Sequence, residues 1–243
     1  YTLYKSQLEE NLRENRYTYK TSLKRAFSGS NNPVFGRLGI YELGRELVED
    51  YADRFMFNHP IPFELPVEKS HIDVPDNDFG LAEISSGFNK STLISPIHAS
   101  LITSAVVNNG MMMEPWVVSE IRDEFGQVIY SGKSAEFGRP LKKVTAEKIK
   151  ILMQDTVKYG TCSSTFRHLR SKNAFKNIAL GAKTGTINDV HDKYKYDWLT
   201  AFAIPKGKDD DGIIITVLAV HGKLLGIRAK DLAKNIINHR FTS

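Results

Sequence analysis

The last third of the chain alternates between apolar, strand-like segments and short polar breaks, and this pattern constrains the fold most strongly. Residues 179–187, 198–204 and 212–220 have strand character, and the charged run 206–211 predicts a hairpin turn between the last two. Helical spacing follows at 228–240. Because the preceding part is mostly helical in pattern, we predict an α+β fold with an antiparallel sheet flanked by helices.

Helix signals are also present in the first 60 residues. A helix is expected to end near Ala26, followed by a small polar loop over 28–33. Apolar residues then recur at helical spacing over 34–57, with an interruption at Gly44. Residues 59–79 are rich in Pro and Asp, so we expect a surface loop there.

The middle of the chain has clearer end signals. Ser95 and Pro96 are typical of a helix N-cap and first turn, and Gly110 is expected to follow the end of that helix. Residues 116–130 alternate around a polar turn and predict a β-hairpin. Thr145 is expected to cap a further helix, which ends at Gly160.

Charge and composition exclude several classes of function. The net charge is +5, but 33 basic and 28 acidic residues are interspersed, so we predict no nucleic-acid partner. Cys162 is the lone cysteine, and the histidines have no metal-ligand spacing; we interpret His191, near Asp189 and Asp192, as part of a turn. We therefore expect no metal, and no cofactor is implied. No internal repeat or low-complexity tract is visible, so we expect one domain over residues 1–243.

The run Gly-Ala-Lys-Thr-Gly-Thr at 181–186 is the most informative segment for chemistry. Lys and Gly are unusual together in a strand. Gly185 would let a ligand backbone approach, Thr184 and Thr186 offer hydroxyls to a carboxylate, and Lys183 supplies positive charge. An extended peptide could pair with this edge as an added strand. The tripeptide alone is weak evidence, since Lys-[Ser/Thr]-Gly arises by chance in roughly one chain in ten.

A second tripeptide, Ser-Asn-Asn at 30–32, lies ahead of this strand, after one predicted helix and before another. Alone, it is more often only a helix cap. Ser-Asn-Asn has the form Ser-x-Asn. Together and in this order, the two motifs resemble those of the serine penicillin-recognising enzymes, whose signature is Ser-x-x-Lys, Ser-Asp-Asn and Lys-Thr-Gly.

The resemblance extends over most of the chain and favours the high-molecular-weight penicillin-binding transpeptidases. Residues 26–35 are similar to the helix and loop of that family's second motif. Residues 95–111 with Glu114-Pro115 resemble its stretch ending in Asn-Gly-Gly. The Gly-Thr at 160–161, the strand at 182–186 and residues 198–205 follow its closing sequence. The resemblance implies a β-lactamase/transpeptidase-like fold.

It also implies roles, position by position. Ser30 would relay a proton between the general base and the leaving amine, and Asn32 would hold an amide of the substrate. Lys183 would polarise the relay and attract the terminal carboxylate, which Thr184 and Thr186 would bind. The Thr186 N–H would donate to the oxyanion hole, and Gly185 would keep the strand clear for substrate.

The sequence departs from the family at the nucleophile. No Ser in the chain has Lys three residues later, whereas the family takes its nucleophile and base from a Ser-x-x-Lys turn. The family places that turn well before the second motif, so we expect it upstream of Tyr1 and expect the chain to be a fragment. The alternative is a protein that never had the serine.

Three functions follow from the resemblance. The first is a peptidoglycan D,D-transpeptidase acting on D-Ala-D-Ala stem peptides through an acyl-serine, which β-lactams would inhibit. The second is a non-catalytic scaffold that binds peptidoglycan or a partner. The third, a β-lactamase, lacks an identifiable base for deacylation. An extracytoplasmic location, with a membrane anchor upstream, is implied for the first two.

Overall fold

The computed structural model describes residues 3–13, 20–208 and 211–242. Its helices are α1 (Leu23–Gly29), α2 (Asn32–Leu38), α3 (Gly44–Arg54), α4 (Asp78–Ser86), α5 (Pro96–Val107), α6 (Lys143–Lys158), α7 (Ser163–Ser171) and α8 (Ala229–Thr242), and a π-helical turn (Gly39–Leu43) joins α2 to α3. Its strands are β1 (Met112–Met113), β2 (Glu120–Arg122), β3 (Val128–Ser131), β4 (Glu136–Gly138), β5 (Ile178–Asn188), β6 (Lys195–Pro205) and β7 (Ile213–His221).

The main sheet has the order β5-β6-β7 with antiparallel pairing throughout. The predicted α+β class and the three predicted strands are therefore confirmed, as is the helix at the C-terminal side. Lys206 and Gly207 turn the chain after β6. The rest of the predicted 206–211 turn lies partly outside the described residues, because 209 and 210 are not described.

Strand β6 separates two hydrophobic cores. Leu199, Ala201 and Ala203 are buried on one face, in a cluster with residues of α7 and α8. Phe202 and Ile204 alternate with them and are buried on the other face, against residues that include Met153 of α6. Both faces of β6 are therefore apolar, as expected for a strand covered by helices on both sides.

Two local predictions in the helical region were wrong at one boundary. The surface loop predicted for 59–79 ends earlier, because Asn77 caps α4 by accepting a hydrogen bond from Gly80 N. Helix α6 is not capped by Thr145 but begins after Lys142, which has no side-chain cap. Leu141 is buried in the core and donates to Gly110 O, so the chain is fixed just ahead of Lys142 and the helix begins there.

Three further local predictions are confirmed. Ser95 caps α5 through a bond from His98 N, and β2 and β3 form the predicted hairpin, shorter than 116–130. The segment around His191 is a turn closed by the Asp189 N to Tyr194 O bond.

Within the described ranges, no group of His, Cys, Asp or Glu could hold a metal ion, and no helix is long and apolar enough to cross a membrane.

Candidate active site

A cavity of about 720 Å³ opens beside the free edge of β5. Its walls come from the α1–α2 junction, the C-terminal end of α4, strand β5 and the start of α8. The sequence-predicted site residues Ser30, Asn32, Lys183, Thr184, Gly185 and Thr186 all line it. Residues that the motifs did not predict also line it: Ser85, Ser86, Gly87, Phe88, Thr161, Asp197, Arg228 and Lys230.

Ser30 lies at a sharp junction between two helices. It ends α1 in a left-handed conformation, with φ 53° and ψ 57°, which is uncommon for a residue with a Cβ. Asn31 then caps α2 by accepting from Val34 N, and Asn32 is the first residue of that helix. The loop predicted over 28–33 is thus reduced to Ser30 and Asn31, because α1 continues past Ala26 to Gly29.

A close backbone contact fixes this junction against the segment between α6 and α7. Thr161 N donates to Ser28 O at 3.0 Å. A Cβ on Gly160 would lie only 2.1 Å from that same oxygen, so only glycine permits the contact. The Gly-Thr pair at 160–161 therefore fixes the backbone at Ser28, and with it the position of Ser30, which is two residues after Ser28.

Lys183 extends from β5 toward the α1–α2 junction. Its Nζ donates to Ser30 Oγ at 2.5 Å and to Thr184 O at 2.9 Å, and it lies 5.7 Å from the centre of the Phe27 ring. Burial lowers the pKa of Lys183 to about 8, because desolvation disfavours the ammonium form. Near neutral pH the ammonium form of Lys183 predominates and donates to Ser30. At pH values near its pKa of about 8, the neutral amine is also populated.

The two threonines of the motif lie on the opposite face of β5 from Lys183. Thr184 pairs with Leu199 and Thr186 with Asp197, whereas Lys183 pairs with Thr200, and successive side chains of a strand alternate between faces. Thr184 Oγ1 is 2.8 Å from Thr161 Oγ1. The motif thus presents a cation on one side of the strand edge and hydroxyls on the other.

Asp197 and Arg228 form an ion pair in the cavity, on the strand next to Thr186. Arg228 donates from Nε to Asp197 Oδ2 at 2.6 Å and from Nη2 to Oδ1 at 3.0 Å, and Ala229 N donates to Oδ2 at 3.0 Å. Burial alone would raise the pKa of Asp197, but the bonds from Arg228 and Ala229 outweigh it and hold that pKa below its usual value. The pair is therefore ionised at neutral pH.

Cys162 lies next to Thr161 but has no nucleophilic character. Its side chain is fully buried, and desolvation raises the pKa of the thiol to about 11. Since the thiolate is the reactive form, this cysteine is inert at neutral pH.

The comparison with family models shows the family of the chain. Residues 2–238 match the model for the penicillin binding protein transpeptidase domain. The chain belongs to this family. The match covers both the Ser-Asn-Asn junction and the Lys-Thr-Gly-Thr strand, so the family resemblance seen in the sequence is confirmed.

Two proteins of Bacillus subtilis are similar to most of the chain. The chain is 26% identical to stage V sporulation protein D of Bacillus subtilis over 193 residues, which are 77% of the chain and 28% of that protein. It is 26% identical over 202 residues to penicillin-binding protein 3 of the same organism, covering 79% of the chain and 29% of that protein. The chain thus spans less than a third of the length of these relatives.

Solved structures show the same fold. The D,D-transpeptidase domain of a peptidoglycan glycosyltransferase from Eggerthella lenta has a TM-score of 0.74 at 20% identity, covering 90% of this chain and 52% of that one. Penicillin-binding protein A of Mycobacterium tuberculosis, solved as an imipenem acyl-enzyme, has a TM-score of 0.74 at 22% identity, covering 89% and 46%. The transpeptidase-like fold is therefore established.

Proposed function

We propose that this chain is the substrate-binding and proton-relay part of a peptidoglycan D,D-transpeptidase that acts on D-Ala-D-Ala stem peptides through a serine acyl-enzyme. The observation that carries the proposal is the 2.5 Å contact between Lys183 Nζ and Ser30 Oγ at the open edge of β5. A chain that kept the fold only as a scaffold would have no chemical reason to bury a lysine against a strained serine.

The two faces of β5 suit the two parts of the substrate's end. An extended peptide can pair with the β5 edge, where Gly185 leaves room for its backbone. Thr184 and Thr186 then offer hydroxyls to the terminal carboxylate, the Thr186 N–H is a donor for the oxyanion, and Asn32 offers its amide to the stem peptide.

Proton transfer is assigned to the other face. The nucleophilic serine attacks the carbonyl carbon of the penultimate D-Ala and gives up its hydroxyl proton, the peptide C–N bond breaks, and the departing D-Ala amine gains a proton. Ser30 Oγ–H can pass that proton on, and Lys183 keeps Ser30 oriented as a donor and lowers the cost of transient negative charge on its oxygen. The acyl group then passes to an amine of a second strand: the ester bond to the serine breaks, the amine loses a proton and the serine oxygen regains one.

The nucleophile is proposed to be a serine outside the 243 residues, because none of the serines in them is followed by Lys at the third position. That same observation favours a second candidate, a non-catalytic protein of this fold that binds peptidoglycan or a partner through the β5 edge. β-Lactams would be inhibitors of the first and at most reversible ligands of the second. Either would act outside the cytoplasm, with a membrane anchor upstream of this chain.

The test is D-Ala release from a stem pentapeptide by the native protein isolated from its source cells. Ser30→Ala and Lys183→Ala should each lower kcat by about 10²–10⁴-fold, the usual contribution of a positioned acid–base group. The matched controls are Ser164→Ala and Lys176→Met, which alter exposed residues outside the cavity. Release that is unchanged by both active-site substitutions would reject the relay, and no release by the unaltered protein would favour the binding scaffold.

A further inference from the structure

The cavity carries more positive charge than its carboxylate can balance. Among the described residues that line it, Lys183, Arg228 and Lys230 are cationic and Asp197 is the acidic one. Arg228 neutralises Asp197 through the two bonds described above. A cavity with this balance favours an anionic ligand.

Arg228 is held at the Thr186 end of the cavity, away from the proton relay. Asp197 is the direct cross-strand partner of Thr186, so the guanidinium bound to Asp197 lies beside that threonine. The Asp197 side chain is 6% exposed and receives a third hydrogen bond from Ala229 N at the start of α8, which fixes its carboxylate. His221 Nε2 lies 3.6 Å from Asp197 Oδ2 and closes the buried side.

Lys183, by contrast, already forms hydrogen bonds with other groups of the protein. Its Nζ contacts Ser30 Oγ and Thr184 O, and its side chain leaves β5 on the face opposite Thr184 and Thr186. A carboxylate held by the two threonine hydroxyls would therefore meet Arg228 on the same face of the strand.

We propose that Arg228, positioned by Asp197, binds a carboxylate of the peptide substrate at the Thr186 end of the cavity, while Lys183 serves the proton relay. The bonds to Asp197 use Nε and Nη2 and leave Nη1, and the side chain is 35% exposed. A fixed guanidinium binds carboxylates with defined geometry. Lys230, lining the same cavity, adds positive charge. This inference rests on the proposed function and names the group that binds the anion.

Two carboxylates of a stem peptide could be the ligand: the C-terminal one, or a side-chain carboxylate further along the peptide. Three probes separate them in calorimetric titrations of the native protein. The first is acetyl-Lys-D-Ala-D-Ala, the second is its C-terminal amide, and the third is the acetylated peptide in which a diacid residue replaces Lys. The variants are Arg228→Gln and Arg228→Lys, with Arg170→Gln, an exposed arginine of α7 outside the cavity, as the matched control.

If the C-terminal carboxylate is the ligand, Arg228→Gln should weaken the first probe by about tenfold and the C-terminal amide by less than twofold, since a charge-assisted hydrogen bond is lost only where the anion is present. If the side-chain carboxylate is the ligand, the tenfold loss should appear on the third probe alone. Arg228→Lys should give an intermediate loss of affinity, because lysine keeps the positive charge but lacks the planar guanidinium that can form two parallel hydrogen bonds.

Equal weakening of all three probes would overturn the proposal, since it would make Arg228 a structural residue; so would unchanged affinity for every probe. Circular dichroism melting of each variant separates loss of fold from loss of the anion site. If the unaltered protein binds none of the probes, the proposed function fails together with this inference. If it binds them and Arg228→Gln has no selective effect, only the inference fails.

Discussion

At the scale of single residues, the fold lowers the pKa of Lys183 by burying its side chain. Its Nζ has hydroxyl, carbonyl and aromatic neighbours, and within the described part of the chain no carboxylate forms a salt bridge with it to offset its desolvation. The pKa of about 8 is the consequence. Ser30, held in a left-handed conformation, is the acceptor that this lysine requires.

This environment predicts a pH-dependent cost to stability. Between pH 8 and about 10.4, the usual lysine value, the unfolded chain keeps Lys183 protonated while the folded protein releases the proton. The unfolded state therefore binds more protons, and stability rises with pH across this window. Below pH 8 the cost of burying the ammonium is fully present.

Lys183→Met should accordingly stabilise the protein at pH 7 by about 2 kcal/mol, and the gain should nearly vanish at pH 10. Urea unfolding of both proteins at the two pH values measures the difference, in which the titration of all other groups largely cancels. Lys176→Met, at an exposed position, is the control and should show no such trend. A gain that is the same at both pH values would mean that Lys183 is not desolvated.

At the scale of secondary-structure elements, the site depends on how α1 meets the segment between α6 and α7. Thr161 N binds Ser28 O, and Gly160 allows the two backbones to touch. The contact lies two residues from Ser30, at the end of a helix of seven residues. A short helix has little stability of its own, so the position of Ser30 is set by this packing.

Gly160→Ala should therefore displace α1 and lower stability by about 2 kcal/mol, since its Cβ cannot fit beside Ser28 O. The rate of D-Ala release should fall with it, because Ser30 moves away from Lys183 Nζ. Urea unfolding and the release assay measure the two effects. Gly29→Ala is the matched control, because a Cβ at that position would meet no neighbouring group within 4 Å. This variant should keep both its stability and its rate of D-Ala release. Equal behaviour of the two variants would contradict the positioning role of Gly160.

At the scale of the whole molecule, β6 joins the two cores. Leu199 is fully buried with residues of α7 and α8, and Phe202 is fully buried with residues of α6. Loss of either core would expose one face of the same strand. We therefore expect the chain to unfold as one unit, which is what the prediction of a single domain over 1–243 requires.

Unfolding in urea should give coincident transitions by far-ultraviolet circular dichroism and by tryptophan fluorescence. Trp198 is part of β6 and lines the cavity, whereas Trp116 lies next to the β2–β3 hairpin, so a Trp116→Phe variant isolates the signal of the cavity. Midpoints that differ between the two methods would mean that the cores unfold independently.

The sequence predicted the parts of this structure that local patterns encode. The three strands, the Ser95 cap and the Lys-Thr-Gly-Thr edge have short-range signals, and the order of two motifs pointed to the family. Helix α4 was missed because its Asn77 cap lies in a Pro- and Asp-rich stretch. Arg228 was missed because its position in the cavity depends on Asp197, 31 residues away. Contacts of that range leave no periodic pattern in a sequence.

The central claim, that this chain binds the substrate and relays the proton for a serine located elsewhere in the native protein, is tested most directly by labelling with a fluorescent penicillin. The native protein would be labelled in its source cells and analysed by intact mass and peptide mapping. We predict a penicilloyl adduct on a serine outside the 243 residues, formed much more slowly in a Lys183→Ala strain. An adduct on Ser30, or none at drug levels that label other penicillin-binding proteins, would contradict the claim.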